Sequence, residues 1–174
     1  MQAADTITIR PITPADAAAF RELRLEALRT CPMGFTADLA AAEQQPAEHW
    51  QERAAAADGQ GSQVVMLADD AGRLVGMTGV YTESAPKVAH IGHVWGVYVR
   101  ESHRGAGVGE RLMRAAIDWS RRRGLLVMKL GVTVGNESAI RCYERCGFAT
   151  YATDPAAFRW DGKLYDEHLM ALRL

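Results

Sequence analysis

Residues 97–112 read VYVRESHRGAGVGERL, and this stretch decides the fold. An alternating apolar segment, typical of a β-strand, runs into a glycine-rich turn, and the turn opens an amphipathic helical pattern. The first N–H groups of a helix lack partners inside it, and the helix dipole favours negative charge there. Gly105, Gly107 and Gly109 let an anion approach the backbone closely, and Arg104 adds a positive charge. The stretch therefore predicts a pyrophosphate site.

Three phosphate-binding patterns compete for this turn. A P-loop ends in Gly-Lys-Ser/Thr, whereas Gly109 is followed by Glu110. The dinucleotide fingerprint needs the spacing G-x-G-x-x-G, which residues 105–109 do not have. What remains is Arg-x-x-Gly-x-Gly, filled by Arg104, Gly107 and Gly109. A plain glycine-rich connector is the structural alternative, but a strand, an arginine and a helix in this order favour binding.

Size and composition predict one globular domain that spans residues 1–174. The 174 residues are 48% hydrophobic and 24% charged, which is ordinary for a soluble protein. The formal net charge of -1 is unlike that of a nucleic-acid binder, so no nucleic-acid partner is expected. No apolar run approaches membrane-spanning length and the N-terminus lacks signal-peptide character, so no membrane association is expected. Three irregularly spaced cysteines favour a reducing, cytoplasmic setting.

Strand-like and helix-like segments alternate along the chain, which predicts a mixed α/β fold. Residues 36–45 are read as a loop or as a small helix over a cleft. The first predicted helix begins near Thr13, and three further helices cover residues 46–57, 107–123 and 137–146. The predicted strands cover 6–10, 63–68, 74–81, 88–99, 126–132, 148–152 and 168–172, with a hairpin between the second and third and a βαβ unit in the second half.

A second motif lies at residues 136–148, which read NESAIRCYERCGF. Together with the glycine-rich turn it resembles the GNAT family of N-acetyltransferases, whose pattern here is Asn-x-x-Ala-x-x-x-Tyr-x-x-x-Gly-Phe. The resemblance spans nearly the whole chain. It implies a single-domain acyl-CoA N-acyltransferase fold, with a mostly antiparallel central sheet, a splayed parallel strand pair and flanking helices.

The resemblance also implies acetyl-CoA as co-substrate, no metal, and direct transfer of the acetyl group to a primary amine in a ternary complex. A longer acyl-CoA donor and a non-catalytic CoA-binding or regulatory domain are the alternatives. The acceptor is expected to be a small-molecule or peptide amine, and members of this family often form homodimers. The residues implied in cofactor binding are Val97, Tyr98, Val99, Arg104, Gly105, Ala106, Gly107, Val108, Gly109, Asn136, Ala139 and Tyr143.

Two catalytic roles follow from the resemblance and from acid–base chemistry. Tyr143 is predicted to protonate the departing thiolate. Family members often use a carboxylate on the splayed strand or a water chain as the base, and some place a glutamate six residues before the last apolar residue of that strand, a count that from Val99 reaches His93. Histidine titrates near neutrality and suits a general base, and alternation predicts one face for His93, Trp95, Val97 and Val99. The rival bases are Glu83, His90 and His168.

The cysteine pair of the second motif has three readings. Cys142 and Cys146 lie one helical turn apart, a spacing compatible with a metal pair or with a covalent acyl-cysteine route. Two thiols are too few for a closed zinc site. We therefore interpret both as small buried apolar side chains.

Overall fold

The structure, a computed structural model, describes residues 7–174, so Thr6 of the first predicted strand lies outside the described residues. Every predicted helix and strand is present, with shifted ends. In chain order the elements are β1 (Ile7–Pro11), α1 (Ala17–Thr30), α2 (Leu39–Glu43), α3 (Ala47–Ala56), β2 (Gln63–Asp70), β3 (Arg73–Thr82), β4 (Ile91–Val99), α4 (Val108–Arg122), β5 (Val127–Thr133), α5 (Glu137–Arg145), β6 (Ala149–Trp160) and β7 (Lys163–Arg173).

One seven-stranded sheet, in the order β1-β2-β3-β4-β5-β7-β6, forms the centre of the fold. All neighbouring strands are antiparallel except β4 and β5. These two pair only where Ile91–His93 meets Val127–Lys129, and beyond that point they diverge. The sheet therefore opens into a wedge. The predicted mixed α/β fold, mostly antiparallel with a splayed parallel pair, is confirmed.

A β-bulge in β4 corrects the predicted shared face. Gly96 has φ +68°, and the pairing with β3 shifts so that Gly79 faces Trp95 while Met77 faces Tyr98. An extra residue reverses the alternation after it. Val97 therefore packs with the α4 side of the sheet, whereas Trp95 packs with the α1 side. The prediction that His93, Trp95, Val97 and Val99 share one face is wrong.

Each face of the sheet carries its own core. The amphipathic helix α4 buries Leu112 and Met113 completely against one face. On the other face, Phe20 of α1 and Trp50 of α3 are buried, and their rings meet edge to face at 5.9 Å between centroids. Each such side chain contributes about 1.5–3 kcal/mol through burial. Among residues 7–174, no helix is long and apolar enough to cross a bilayer.

The last two strands extend well beyond the ranges predicted for them. Pro155 and Ala156, the latter with φ +55°, interrupt the alternation of β6, and the register shifts between Asp154 and Phe158. Because of this bulge, the strand does not show the continuous alternation of side chains from which a strand is predicted. Asp161 and Gly162 both have positive φ, as a two-residue hairpin turn requires. β6 and β7 therefore form one long hairpin at the edge of the sheet.

Two further boundaries bear on the site. β4 begins at Ile91 because residues 88–90 form a hydrogen-bonded turn. Residues 36–45 contain the short helix α2, the second of the two predicted alternatives. Asp38 caps this helix by accepting a hydrogen bond from the N–H of Ala41 at 2.8 Å.

Candidate active site

A cleft of about 490 Å³ lies where β4 and β5 diverge. One wall is the end of β4 with the glycine-rich turn, the opposite wall is the end of β5, and α5 lies beside both. Of the predicted cofactor-binding residues, Ala106 does not line the cleft. Those that do are Val97, Tyr98, Val99, Arg104, Gly105, Gly107, Val108, Gly109, Asn136, Ala139 and Tyr143.

The glycine-rich turn leaves the start of α4 open. Gly107 is the residue before the helix, its φ is +76°, and no side chain caps the helix there. The first backbone bond of the helix runs from Arg111 N to Gly107 O at 3.0 Å, so the N–H groups before Arg111 have no partner within the helix. A Cβ placed on Gly105 or Gly107 would meet no atom within 4 Å. This open row of donors fits a diphosphate.

Arg104 places a positive charge beside these donors. Its Nε donates to the carbonyl of Val99 at 3.0 Å, and its guanidinium lies 5.8 Å from the ring centroid of Tyr98. Tyr98 in turn donates from its hydroxyl to Glu26 of α1 at 3.0 Å. The end of β4 thus orients Arg104. Its side chain remains exposed to solvent, where it could contact an anion bound at the turn.

A carboxylate fixes α4 against α5. Glu110, in the first turn of α4, lies 2.7 Å from Arg114 and 3.1 Å from Arg145 of α5. Hydrogen bonds from Arg114 and then from Arg145 lower the pKa of this carboxyl group. Glu110, which lines the cleft, is therefore paired with one arginine of its own helix and with one of α5, so that it links the two helices.

The helix α5 presents the second motif to the cleft. Asn136 caps it, accepting from the N–H of Ala139 at 3.3 Å, so this asparagine has a structural role whatever else it binds. Tyr143 is 7% exposed and lines the cleft, and no described residue hydrogen-bonds to its hydroxyl. Burial, followed by the neighbouring thiols, raises the pKa of Tyr143. The phenol therefore stays protonated and faces the cleft with an unused donor.

The two thiols of α5 differ in their surroundings. Cys146 is buried, as the sequence predicts, whereas Cys142 is half-buried and lines the cleft. A hydrogen bond from Cys146 lowers the pKa of Cys142, and the same pairing raises that of Cys146. Cys142 therefore forms part of the wall next to Gly109, 3.6 Å from where a Cβ on that glycine would lie.

A carboxylate that sequence analysis missed also lines the cleft. Glu167 on β7 reaches across β5, with Oε2 only 2.8 Å from where a Cβ on Gly131 would lie. Burial, and then the charge of Asp154, raises the pKa of Glu167. The part of the chain that the structure describes offers it no basic partner. No motif marks it, because its access depends on a glycine in a neighbouring strand.

His93 lies apart from this cleft. Its ring stacks on Tyr81 at 5.0 Å between centroids, and Nε2 is 3.1 Å from Glu83, one of the rival bases. Another rival, His168, is bonded through Nδ1 to Thr153 at 2.9 Å. His93 does not line the cleft that contains Tyr143. The structure thus brings the cofactor motif and Tyr143 together, and leaves His93 on the α1 face.

Comparisons with known proteins bear on the family and the fold of this chain. The profile of the family described as "Acetyltransferase (GNAT) family" matches residues 20–148. An L-methionine sulfoximine/L-methionine sulfone acetyltransferase of Pseudomonas aeruginosa is 33% identical over 116 residues, which are 66% of this chain and 67% of that protein. A Salmonella typhimurium acetyltransferase solved with its cofactor acetyl-CoA has a TM-score of 0.78 at 25% identity, and the match covers 97% of this chain and 94% of that one.

One further solved structure supports the fold alone. A GNAT-family acetyltransferase from Streptococcus pneumoniae superposes with a TM-score of 0.86, covering 97% of this chain and 99% of that one at 22% identity. Fold and cleft together define a transferase that takes its acyl group from an acyl-CoA. The chain belongs to the GNAT acetyltransferase family. It is an acetyl-CoA-dependent N-acetyltransferase that acts on an amine acceptor, which confirms the family and the reaction predicted from sequence.

Proposed function

We propose that the chain transfers the acetyl group of acetyl-CoA by direct attack of a small-molecule primary amine, with Tyr143 as the acid. The observation that carries this proposal is the cleft in which the open start of α4 and the unbonded hydroxyl of Tyr143 face the same space. Acetyl-CoA supplies an acetyl group activated as a thioester. Everything else in the reaction is binding, orientation and proton transfer by this chain.

The cofactor roles follow the lining of the cleft. The N–H groups at Val108 and Gly109, with the charge of Arg104, bind the pyrophosphate, and Gly105, Ala106 and Gly107 shape the turn around it. Along the wedge, the edge of β4 toward β5 has no strand partner beyond His93. In this proposal, backbone groups of Val97 and Val99 pair with the pantetheine arm as an added strand, the Val99 carbonyl also accepting from Arg104 Nε, while Asn136 and Ala139 line the other side of the arm. The N–H of Val97 or Tyr98 polarises the acetyl carbonyl.

Tyr143 suits the acid because its proton is retained and its hydroxyl is available. Its raised pKa keeps the phenol neutral throughout the physiological range. A neutral phenol donates to a thiolate as negative charge grows on the sulfur. The burial of its ring against Phe148, at 6.3 Å between centroids, fixes the direction in which the hydroxyl points.

The base that receives the proton of the amine is, in this proposal, Glu167. It lines the same cleft as Tyr143, and its pKa is shifted toward neutrality by burial. His93 is the second candidate, as an imidazole with Nε2 3.1 Å from the carboxylate of Glu83. His93 lies outside the cleft and would have to act through water.

The acceptor is proposed to be a small molecule, because the relative named above acetylates L-methionine sulfoximine and L-methionine sulfone. A peptide amine is the alternative.

We further propose one domain over residues 1–174, which both cores on a single sheet support. Three free thiols support a cytoplasmic location. The exposed Tyr151, Trp160 and Leu164 of the β6–β7 hairpin support contact with a second copy.

The test is a thiol-release assay with acetyl-CoA and a panel of amines, on the wild type and on Tyr143→Phe. We expect turnover of small amines by the wild type and its near loss in the variant. Thermal stabilisation by CoA with no turnover of any amine would instead favour a binding or regulatory domain. Faster turnover with a longer acyl-CoA would correct the donor.

A further inference from the structure

Two arginines on the α1 face of the sheet lack a counter-charge. Arg24 of α1 is only 6% exposed, and its Nη1 is completely buried without a hydrogen-bond partner. Arg53 of α3 is half-buried. Among the described residues, no carboxylate forms an ion pair with either one. Buried charges in proteins are normally paired, so this arrangement requires an explanation.

Aromatic rings surround the two guanidinium groups without neutralising them. Arg24 lies 4.7 Å from the ring centroid of Phe35 and 5.6 Å from that of Trp95. Arg53 lies 4.7 Å from Trp95 and 5.9 Å from Trp50. Such cation–π contacts orient a guanidinium and offset part of its desolvation. They leave its N–H donors free to bind an anion.

The positive charges of Arg24 and Arg53 also repel each other, which makes the burial of these side chains more unfavourable. Burial, followed by the positive charge of Arg53, lowers the pKa of Arg24 to about 10. Burial also lowers the pKa of Arg53. Each cation is therefore held in surroundings that disfavour it, and a bound anion would relieve both effects at once.

The arginine pair lies next to the cleft. Phe35, which Arg24 covers, also lines the wall of the cleft. A Cβ on Gly96, the residue before Val97, would lie 3.5 Å from Nη1 of Arg24. Phe35 and Gly96 thus lie between the guanidinium of Arg24 and the cleft, and Arg53 contacts the same Trp95 ring as Arg24.

From these observations we infer that Arg24 and Arg53 bind the carboxylate of the acceptor, so that the preferred acceptors are amino acids acetylated on their amine. This inference rests on the proposed function and specifies its substrate class. Guanidinium groups present planar pairs of donors that match a carboxylate. Binding of the carboxylate to these arginines would hold the amine of the same molecule toward the gap between β4 and β5.

The test compares a panel of L-amino acids, including L-methionine sulfone, with the α-carboxamide of each. The wild type should prefer the acids in kcat/KM. Arg24→Met and Arg53→Met should each raise KM for the acids roughly 10- to 100-fold, the effect of losing a charged hydrogen bond. KM for the amides and for acetyl-CoA should stay unchanged. Arg29→Met is the matched control, since Arg29 lies on the same helix but is exposed and paired with Glu43.

A second readout separates ligand binding from a structural role. Without ligand, Arg24→Met should keep or raise Tm, because it removes an unpaired buried charge. With the acids, calorimetric titration should detect binding to the wild type and not to Arg24→Met. Transfer to acids and amides at equal rates, or a large fall in Tm with unchanged KM, would overturn the carboxylate site and leave acetyl transfer intact. Preferential binding of acids without any transfer would instead contradict the proposed function.

Discussion

The two faces of β4 build their binding groups in different ways. On the α4 face, the donors are backbone N–H groups at the start of a helix, opened by Gly107 and supplemented by Arg104. On the α1 face, the candidate groups are side chains from separate elements, Arg24 and Arg53, that meet only in the folded chain. A site made by backbone depends on local spacing. A site made by distant side chains depends on packing, and the two should therefore fail in different ways when altered.

The largest effect is expected on the backbone-built side, from Gly107→Val. A branched side chain at φ +76° strains the backbone and occupies the open space before α4. We expect acetyl-CoA to lose its thermal stabilisation of the protein and turnover to become undetectable. Differential scanning fluorimetry with and without CoA measures the first effect, and thiol release measures the second.

Gly72→Val is the matched control for this change. Gly72 has φ +88°, and a Cβ there also meets open space, but the residue lies in the turn between β2 and β3. Both variants should lose Tm through the same backbone strain, about 1–2 kcal/mol. Only the control should keep the CoA-dependent rise in Tm. Retention of that rise in Gly107→Val would place the cofactor elsewhere.

The next largest effect is expected from Tyr143→Phe. Loss of the phenol proton should lower kcat by about 10²–10⁴ while KM for acetyl-CoA is unchanged. Because burial raises the pKa of Tyr143, the wild type should lose no activity at alkaline pH through ionisation of this group. The exposed Tyr151 provides the control, and Tyr151→Phe should match the wild type. A variant at Tyr143 with normal kcat would assign the acid to another donor.

The accuracy of the secondary-structure predictions follows the same division between backbone and packing. The strand, the turn and the helix within residues 97–123 are set by local sequence, so the sequence predicted all three. Asn136 at a helix start is equally local, and it caps α5 as such residues do. Ala106 belongs to the same turn and is exposed, but it does not line the cleft.

The features that sequence analysis could not supply all depend on contacts between distant residues. The bulge at Gly96 changes the face to which the side chains of β4 after Trp95 point, and an alternating sequence pattern does not predict this change. Glu167 reaches the cleft only because residue 131 is a glycine in the next strand. Arg24 belongs to an amphipathic helix, in which an arginine is ordinarily solvated, and only packing reveals its burial.

The choice of base separates two groups that lie apart on the sheet, Glu167 in the cleft and His93 beside Glu83. Glu167→Gln should lower kcat/KM about 100-fold and remove the acid limb of the pH profile, since a carboxylate must be ionised to accept a proton. His93→Gln removes the second candidate, which lies outside the cleft, and should leave that limb in place. The pH dependence of kcat/KM from pH 5 to 9 measures both variants. If only His93→Gln removes the limb, the base is His93 and not the carboxylate in the cleft.

The smallest effect tests the electrostatics of Glu167 without removing it. Asp154 on β6 faces Glu167 in the register of the hairpin, and its charge is the second cause, after burial, of the raised pKa of Glu167. Activity that needs ionised Glu167 is lost as pH falls through that raised pKa. Asp154→Asn should therefore lower the pKa of Glu167 and move the acid limb to lower pH, with little change in the plateau rate at higher pH. Asp161→Asn, at the exposed tip of the same hairpin, controls for a general change in net charge. An unmoved limb in Asp154→Asn would show that the titrating group is not Glu167 but one that lies beyond the reach of this carboxylate.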